Sequence, residues 1–309
     1  MTTNTERLDQ ANACHDDDAL RGAELLRAID AAQLPPERRP SYAFLLNHVL
    51  GEKLNLWDQA LQHQRQLLAA AQPAPAAVLW RQAATAARLA RVGALADELT
   101  QAFAQASGAA LKRSTELLQL SATMYQAPGL AAQHAGEQVL AALAPLAQPA
   151  WQAPNPLDSH VAACTNNIAS ALLDRPAADL QHGAARAALA QAAEQAQRFW
   201  QRAGTWVQQE RALYQCAMAC NVLGELHDAR SHAQAALTLL DAHDGAHAED
   251  VDRAFIELER RHACERLGLA GEAADAAHKT KALAARFDDV ELTRWFARRE
   301  QALAALPRP

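Results

Sequence analysis

The stretch Ala212–Leu240, ALYQCAMACNVLGELHDARSHAQAALTLL, decides the fold. Apolar residues recur at helical spacing up to Leu223 and again from Leu226, and Gly224 stands between the two runs. Glycine enters the left-handed backbone region without the steric penalty of a Cβ, so it can end one helix tightly and release the chain into the next. Ala217, Ala229 and Ala236 put small side chains where the two helices cross, and the distance between helix axes is set by the residues at that contact. The stretch therefore predicts an antiparallel helix hairpin.

Working outward, the same pattern returns at Arg266–Ala273 (RLGLAGEA) and at Lys53–Ala60 (KLNLWDQA), and more loosely at Arg91–Glu98 (RVGALADE), with Gly93 aligned on Gly224. Each copy follows a helical run of about 15 residues and begins another, and self-similarity at such intervals marks stacked repeats. The chain resembles tetratricopeptide repeats, in which a Leu-Gly-x-aromatic-x-x-Ala turn joins two helices. The copies lie roughly 38 and 44 residues apart, against about 34 in that family. This points to longer-helix relatives such as the MalT-like helical repeats of bacterial regulators. The resemblance implies an all-α, right-handed α-α superhelix of about seven antiparallel helix pairs. It also implies that the first helix of each pair lines a concave, ligand-binding face.

Composition agrees with helices. Alanine fills about a quarter of the 309 positions, far above ordinary usage. Valine and isoleucine together supply only about a dozen residues, too few for the β-branched strands of a sheet. About fourteen helices of roughly 12 to 20 residues are expected, broken at Pro35-Pro36, Gln72-Pro73-Ala74-Pro75, Pro128-Gly129, Arg175-Pro176 and Asp244-Gly245. The longest break holds three prolines within Ala147–Ser159. It divides the expected organisation into a group of helix pairs over residues 1–146, a Pro-rich connection over 147–158, and a second group with a capping helix over 159–309.

The formal net charge is −6, and the basic pairs Arg38-Arg39 and Arg260-Arg261 are not a dense cationic patch. Nucleic acid and anionic membrane are therefore not expected partners. The acidic start MTTNTERLDQANACHDDDAL lacks the basic and apolar segments of a secretory signal. The five cysteines are odd in number and widely spaced, unlike a disulfide framework. The expectation is a soluble cytoplasmic protein.

With the register fixed on Ala229 and Ala273, the resemblance places Tyr214 and Met218, then Leu258 and His262, on the concave face. Asn166, Ser170 and Asp174 recur every four residues and form one polar stripe on an Ala-rich helix. An amide that both donates and accepts suits a peptide backbone. Trp200 and Trp206 flank Arg202 and Gly204, and Trp295 belongs to the final amphipathic helix; all three are candidate interface anchors. That last helix caps the array, and an exposed version of it would be a homodimer surface. Cys216, Cys220 and Cys264 with His262 read as core rather than as a metal set, and His243 and His247 as a loop.

The chain lacks the P-loop, dinucleotide, nucleophile-elbow and zincin motifs. No cofactor, metal or catalytic residue is assigned. The expected function is non-catalytic binding of a protein or peptide, as a scaffold or adaptor. A ligand-sensing regulatory module of the MalT-like type is the alternative. A third reading is a magnesium enzyme, since Asn166-x3-Ser170-x3-Asp174 resembles the second metal motif of class I terpene synthases and Asp16-Asp17-Asp18 imitates their first.

Overall fold

The computed structural model describes residues 2–71, 74–181 and 183–307. Among them the chain is all helix and turn, without a strand, and fifteen α-helices succeed one another. They are α1 (Asn4–Cys14), α2 (Ala19–Arg27), α3 (Arg39–Leu45), α4 (Trp57–Ala70), α5 (Ala77–Leu89), α6 (Gly93–Ser107), α7 (Leu111–Gln126) and α8 (Ala132–Leu143). There follow α9 (Asp158–Leu173), α10 (Gly183–Ala203), α11 (Trp206–Leu223), α12 (Leu226–His243), α13 (Asp250–Arg266), α14 (Ala270–Ala284) and α15 (Val290–Ala304). No helix among the described residues is long and apolar enough to cross a membrane. The Gln72-Pro73 break lies outside the described residues.

Local chemistry starts several of these helices. Thr3 and Glu6 form a reciprocal capping box on α1, Thr205 and Gln208 do so on α11, and the Asp18 carboxylate accepts from Arg21 N at the start of α2. The turns between helices are equally specific. Gly224 (φ 76°) and Gly268 (φ 73°) take the left-handed conformation, and Asn55 (φ 54°) takes it at the aligned position of its copy. In the loosest copy the left-handed residue is Arg91 (φ 61°), while Gly93 is already the first residue of α6. The register there is shifted by two residues from the alignment on Gly93, because α5 ends at Leu89 and the turn falls earlier.

The chain forms two compact units. One comprises Met1–Gln126 with Gln148–His160, and the other Ala127–Ala147 with Val161–Pro309. In the first unit α3 runs directly into a π-helical segment, Leu46–Lys53, which ends under Trp57. A Cβ at Gly51 would collide with the Trp57 ring, so only glycine lets the indole close over this turn. A polar network is buried beside it. The Asn47 side-chain amide donates to Gln82 O (2.9 Å) and Gln82 Oε1 (2.8 Å), Gln64 donates to Asn47 Oδ1 (2.9 Å), and Tyr125 donates to Gln82 Oε1 (3.0 Å).

The second unit repeats the device. Asn221 on α11 donates to Glu259 O (3.1 Å) and Glu259 Oε2 (2.8 Å) on α13. Gln215 on α11 donates to Asn166 O and Ser170 Oγ on α9, both at 2.9 Å. In each case an amide holds a backbone carbonyl and a side chain of another helix at once, which fixes both axial register and rotation. The surrounding core is thin and alanine-rich: Leu213, Ala217, Ala233, Ala236, Leu237, Leu240 and Ile256 are buried together, with Trp206 and Tyr214 against them.

Candidate functional site

In the second unit α12, α13 and α14 enclose a cleft of ≈ 410 Å³, within the range of ligand pockets. The helical period explains its lining. Gln234, Leu237 and Asp241 share one face of α12, and Asp250, Arg253, Glu257 and Arg260 share one face of α13. Lys279, Leu283 and Arg286 close the third side, where α14 ends, and His247 reaches in from the preceding loop. That loop is built by Asp244, whose buried carboxylate accepts from Ala248 N (2.8 Å) and Glu249 N (3.0 Å) and so holds the entry to α13.

At one end of the cleft an ion network runs from the buried Arg260 to the exposed rim. Arg260, nearly buried, donates to Glu257 Oε2 (2.7 Å) and to Asp275 Oδ2 (2.6 Å), and Lys279 Nζ stands 3.0 Å from the same Asp275 oxygen. Burial pushes the Glu257 carboxyl up in spite of Arg260. Hydrogen bonds from Arg260 and Lys279 hold Asp275 below its usual range. At the other end Arg253 donates to Asp241 Oδ1 (2.6 Å), and Arg286 approaches Asp250 Oδ2 at 2.5 Å. The rim residues Asp241, Lys279 and Arg286 are exposed, so both signs of charge face solvent around a partly apolar slot.

The residues selected from sequence lie elsewhere in the second unit. Leu258 is fully buried and His262 is nearly so. Desolvation pushes the His262 ring down to about 4, so it is a neutral core residue at pH 7. Tyr214 is half-buried against the core and faces Phe255, with ring centroids 6.5 Å apart, while Met218 is half-buried on the same helix. Asn166 is half-buried, its carbonyl taken by Gln215; Ser170 is exposed and its hydroxyl accepts from the same amide; Asp174 is exposed at the end of the stripe. None of these seven lines the α12–α14 cleft.

Trp206 stacks on His243 at 5.6 Å and supports the α11–α12 core. Trp200 is half-buried next to Gly204, whose amide donates to Trp200 O (2.7 Å) and which has no room for a Cβ. Trp295 on α15 is 53% exposed, with its ring centroid 4.6 Å from that of Phe255 in a tilted pair. Cys216 and Cys220 are held as neutral thiols, since burial pushes both up to about 12. Sequence reasoning missed the cleft because Asp250, Arg253, Glu257 and Arg260 look like an ordinary solvated stripe. The signal present was that they alternate in sign at i, i+3, i+7 and i+10 on a helix whose other face is apolar. No protein-family model matches the chain, and no curated protein sequence does.

Proposed function

We propose that the chain is a non-catalytic, tetratricopeptide-like binding module. Each unit is a run of helix pairs wound as a right-handed α-α superhelix, and the α12–α14 cleft seats a short peptide segment of a protein partner. The observation that carries the reading is the cleft itself: three successive helices contribute charges of both signs around an apolar slot, which suits an extended or helical segment bearing both signs. The left-handed turns at the aligned positions Asn55, Gly224 and Gly268 support a repeat origin, because one turn device recurs at corresponding places.

The test is selection of random dodecapeptides on the full chain, followed by titration of the selected peptides. Enriched sequences should carry acidic and basic residues together. The double substitution Lys279→Glu and Arg286→Glu should weaken them about tenfold or more, each lost rim pairing being worth up to about 1 kcal/mol. Circular dichroism of the double variant should be unchanged, because both side chains are at least half exposed. Selection that yields no peptide, or peptides indifferent to the double reversal, would defeat the assignment.

A further inference from the structure

A second cluster lies in the first unit, where the α1–α2 turn meets the π-helical segment. His15 Nε2 stands 3.6 Å from Asp16 Oδ2, and His48 Nε2 stands 3.9 Å from Asp16 Oδ1. The three ligand-capable atoms lie within 4.8 Å of one another. Tetrahedral coordination with metal–nitrogen bonds of about 2.05 Å puts neighbouring ligands about 3.4 Å apart, so atoms already within 4.8 Å of one another need shifts of at most about 1.4 Å, which side-chain rotation supplies.

The outer hydrogen bonds prepare the rings for this. His15 Nδ1 is 2.7 Å from Asn12 O, and a carbonyl can only accept, so Nδ1 is the donor and Nε2 is the nitrogen left to serve as a ligand. His48 Nδ1 is 2.7 Å from Glu52 Oε2, which fixes its tautomer in the same way. In the neutral rings both Nε2 atoms are thus left toward the Asp16 carboxylate as the ligand atoms. A carboxylate or carbonyl behind each ligating histidine is the usual support of a metal site. The His48 ring is also stacked on Phe44 at 5.4 Å, which limits its rotation. It stands on π-helical backbone, held open by Leu54 N to Val49 O (3.2 Å), and such segments concentrate at functional sites. Lys53 Nζ, 2.6 Å from Asp16 Oδ1 and 3.0 Å from His15 O, brings a cation to the cluster and occupies the oxygen that faces His48.

We propose that His15, Asp16 and His48 bind one divalent first-row transition ion, with Glu52 orienting His48 and Lys53 competing for Asp16. Two imidazoles with a carboxylate suit zinc, cobalt or iron(II) and are too nitrogen-rich for magnesium or calcium. Binding is tested with Co²⁺ alone on the full chain, read by its visible d–d absorption, with Zn²⁺ displacing it. The expected result is one ion per chain and loss of the band in Asp16→Asn and His48→Gln. Glu52→Gln should weaken binding about tenfold, the low end for an outer-shell partner, and Lys53→Met should tighten it. Asp16 is largely exposed, so Asp16→Asn tests the site without disturbing the core. No band at millimolar Co²⁺, a band untouched by Asp16→Asn and His48→Gln, or a sulfur-to-cobalt charge-transfer band placing the ion on a cysteine would each overturn the assignment.

Discussion

Two glutamates of the second unit show how differently one fold treats a buried carboxyl. Glu259 is fully buried and answered by Arg299 Nε at 2.6 Å and Asn221 Nδ2 at 2.8 Å. Glu210, on the first turns of α11, is equally buried, yet neither carboxyl oxygen has a hydrogen-bond partner. Desolvation first, then the negative charges of Asp252 and Glu249, push its carboxyl up to about 8, against the pull of Arg211 and Arg253. Below its ordinary value near 4.5 both the native and the unfolded chain hold this proton. Between about 4.5 and 8 the unfolded chain has released it and the native chain has not, so native stability falls as pH rises through that window and levels off above it. Glu210→Gln keeps the shape and removes the titration. Thermal unfolding from pH 5 to pH 8 should show the variant gaining on the parent as pH rises, by an amount on the order of a few kcal/mol at the alkaline end. Parallel melting curves for the two proteins would remove Glu210 from the account.

At the scale of the helix hairpin, the left-handed turn residue sets where one helix stops and its partner starts. Arg91 holds φ 61° with its side chain exposed, a conformation that costs an L-residue about 1 kcal/mol or more. Arg91→Gly removes that strain but widens the unfolded ensemble, so a net gain of roughly 0.5 kcal/mol is expected, read as a higher urea midpoint with an unchanged slope. A lower midpoint would mean that the arginine side chain contributes to the turn. The comparison also shows what the sequence could carry. Leu-Gly before a helical run announced Gly224 and Gly268, because glycine is the usual answer to that backbone geometry, and Asn55 followed from the same alignment. Nothing about an arginine announces a left-handed turn, so the fourth copy was misregistered on Gly93. The buried alanines Ala60, Ala217, Ala229 and Ala236 were legible for a similar reason, since only small residues fit helix crossings. The cleft and the His15–Asp16–His48 cluster were not. The cleft joins three helices whose polar faces each look solvated alone, and the cluster joins residues more than thirty positions apart with no ligand spacing along the chain.

Across the whole molecule, the proline-rich stretch that looked like a connection also contributes to a core. Trp151 is fully buried, and its indole donates to Glu116 Oε2 on α7 at 2.8 Å. A few residues later His160 lays its ring against Phe103 of α6 at 5.7 Å, and its carbonyl accepts from Arg81 of α5 at 3.3 Å. Prolines are compatible with this course because the segment runs in short turns between helices, where few backbone donors are needed. Residues 148–160 thus belong with the first 126, although α8 intervenes in the chain and belongs to the other unit. Long-range return of this kind leaves no periodic trace in sequence. It has a measurable consequence, because units with their own buried residues are expected to open separately. Trp151→Ala in the full chain should remove about 3 to 5 kcal/mol of packing. Hydrogen exchange should then accelerate in α5, α6 and α7, while the amides of α11 to α14 keep their protection. Equal acceleration in both units would mean that the chain unfolds as a single cooperative body and that the tryptophan holds both.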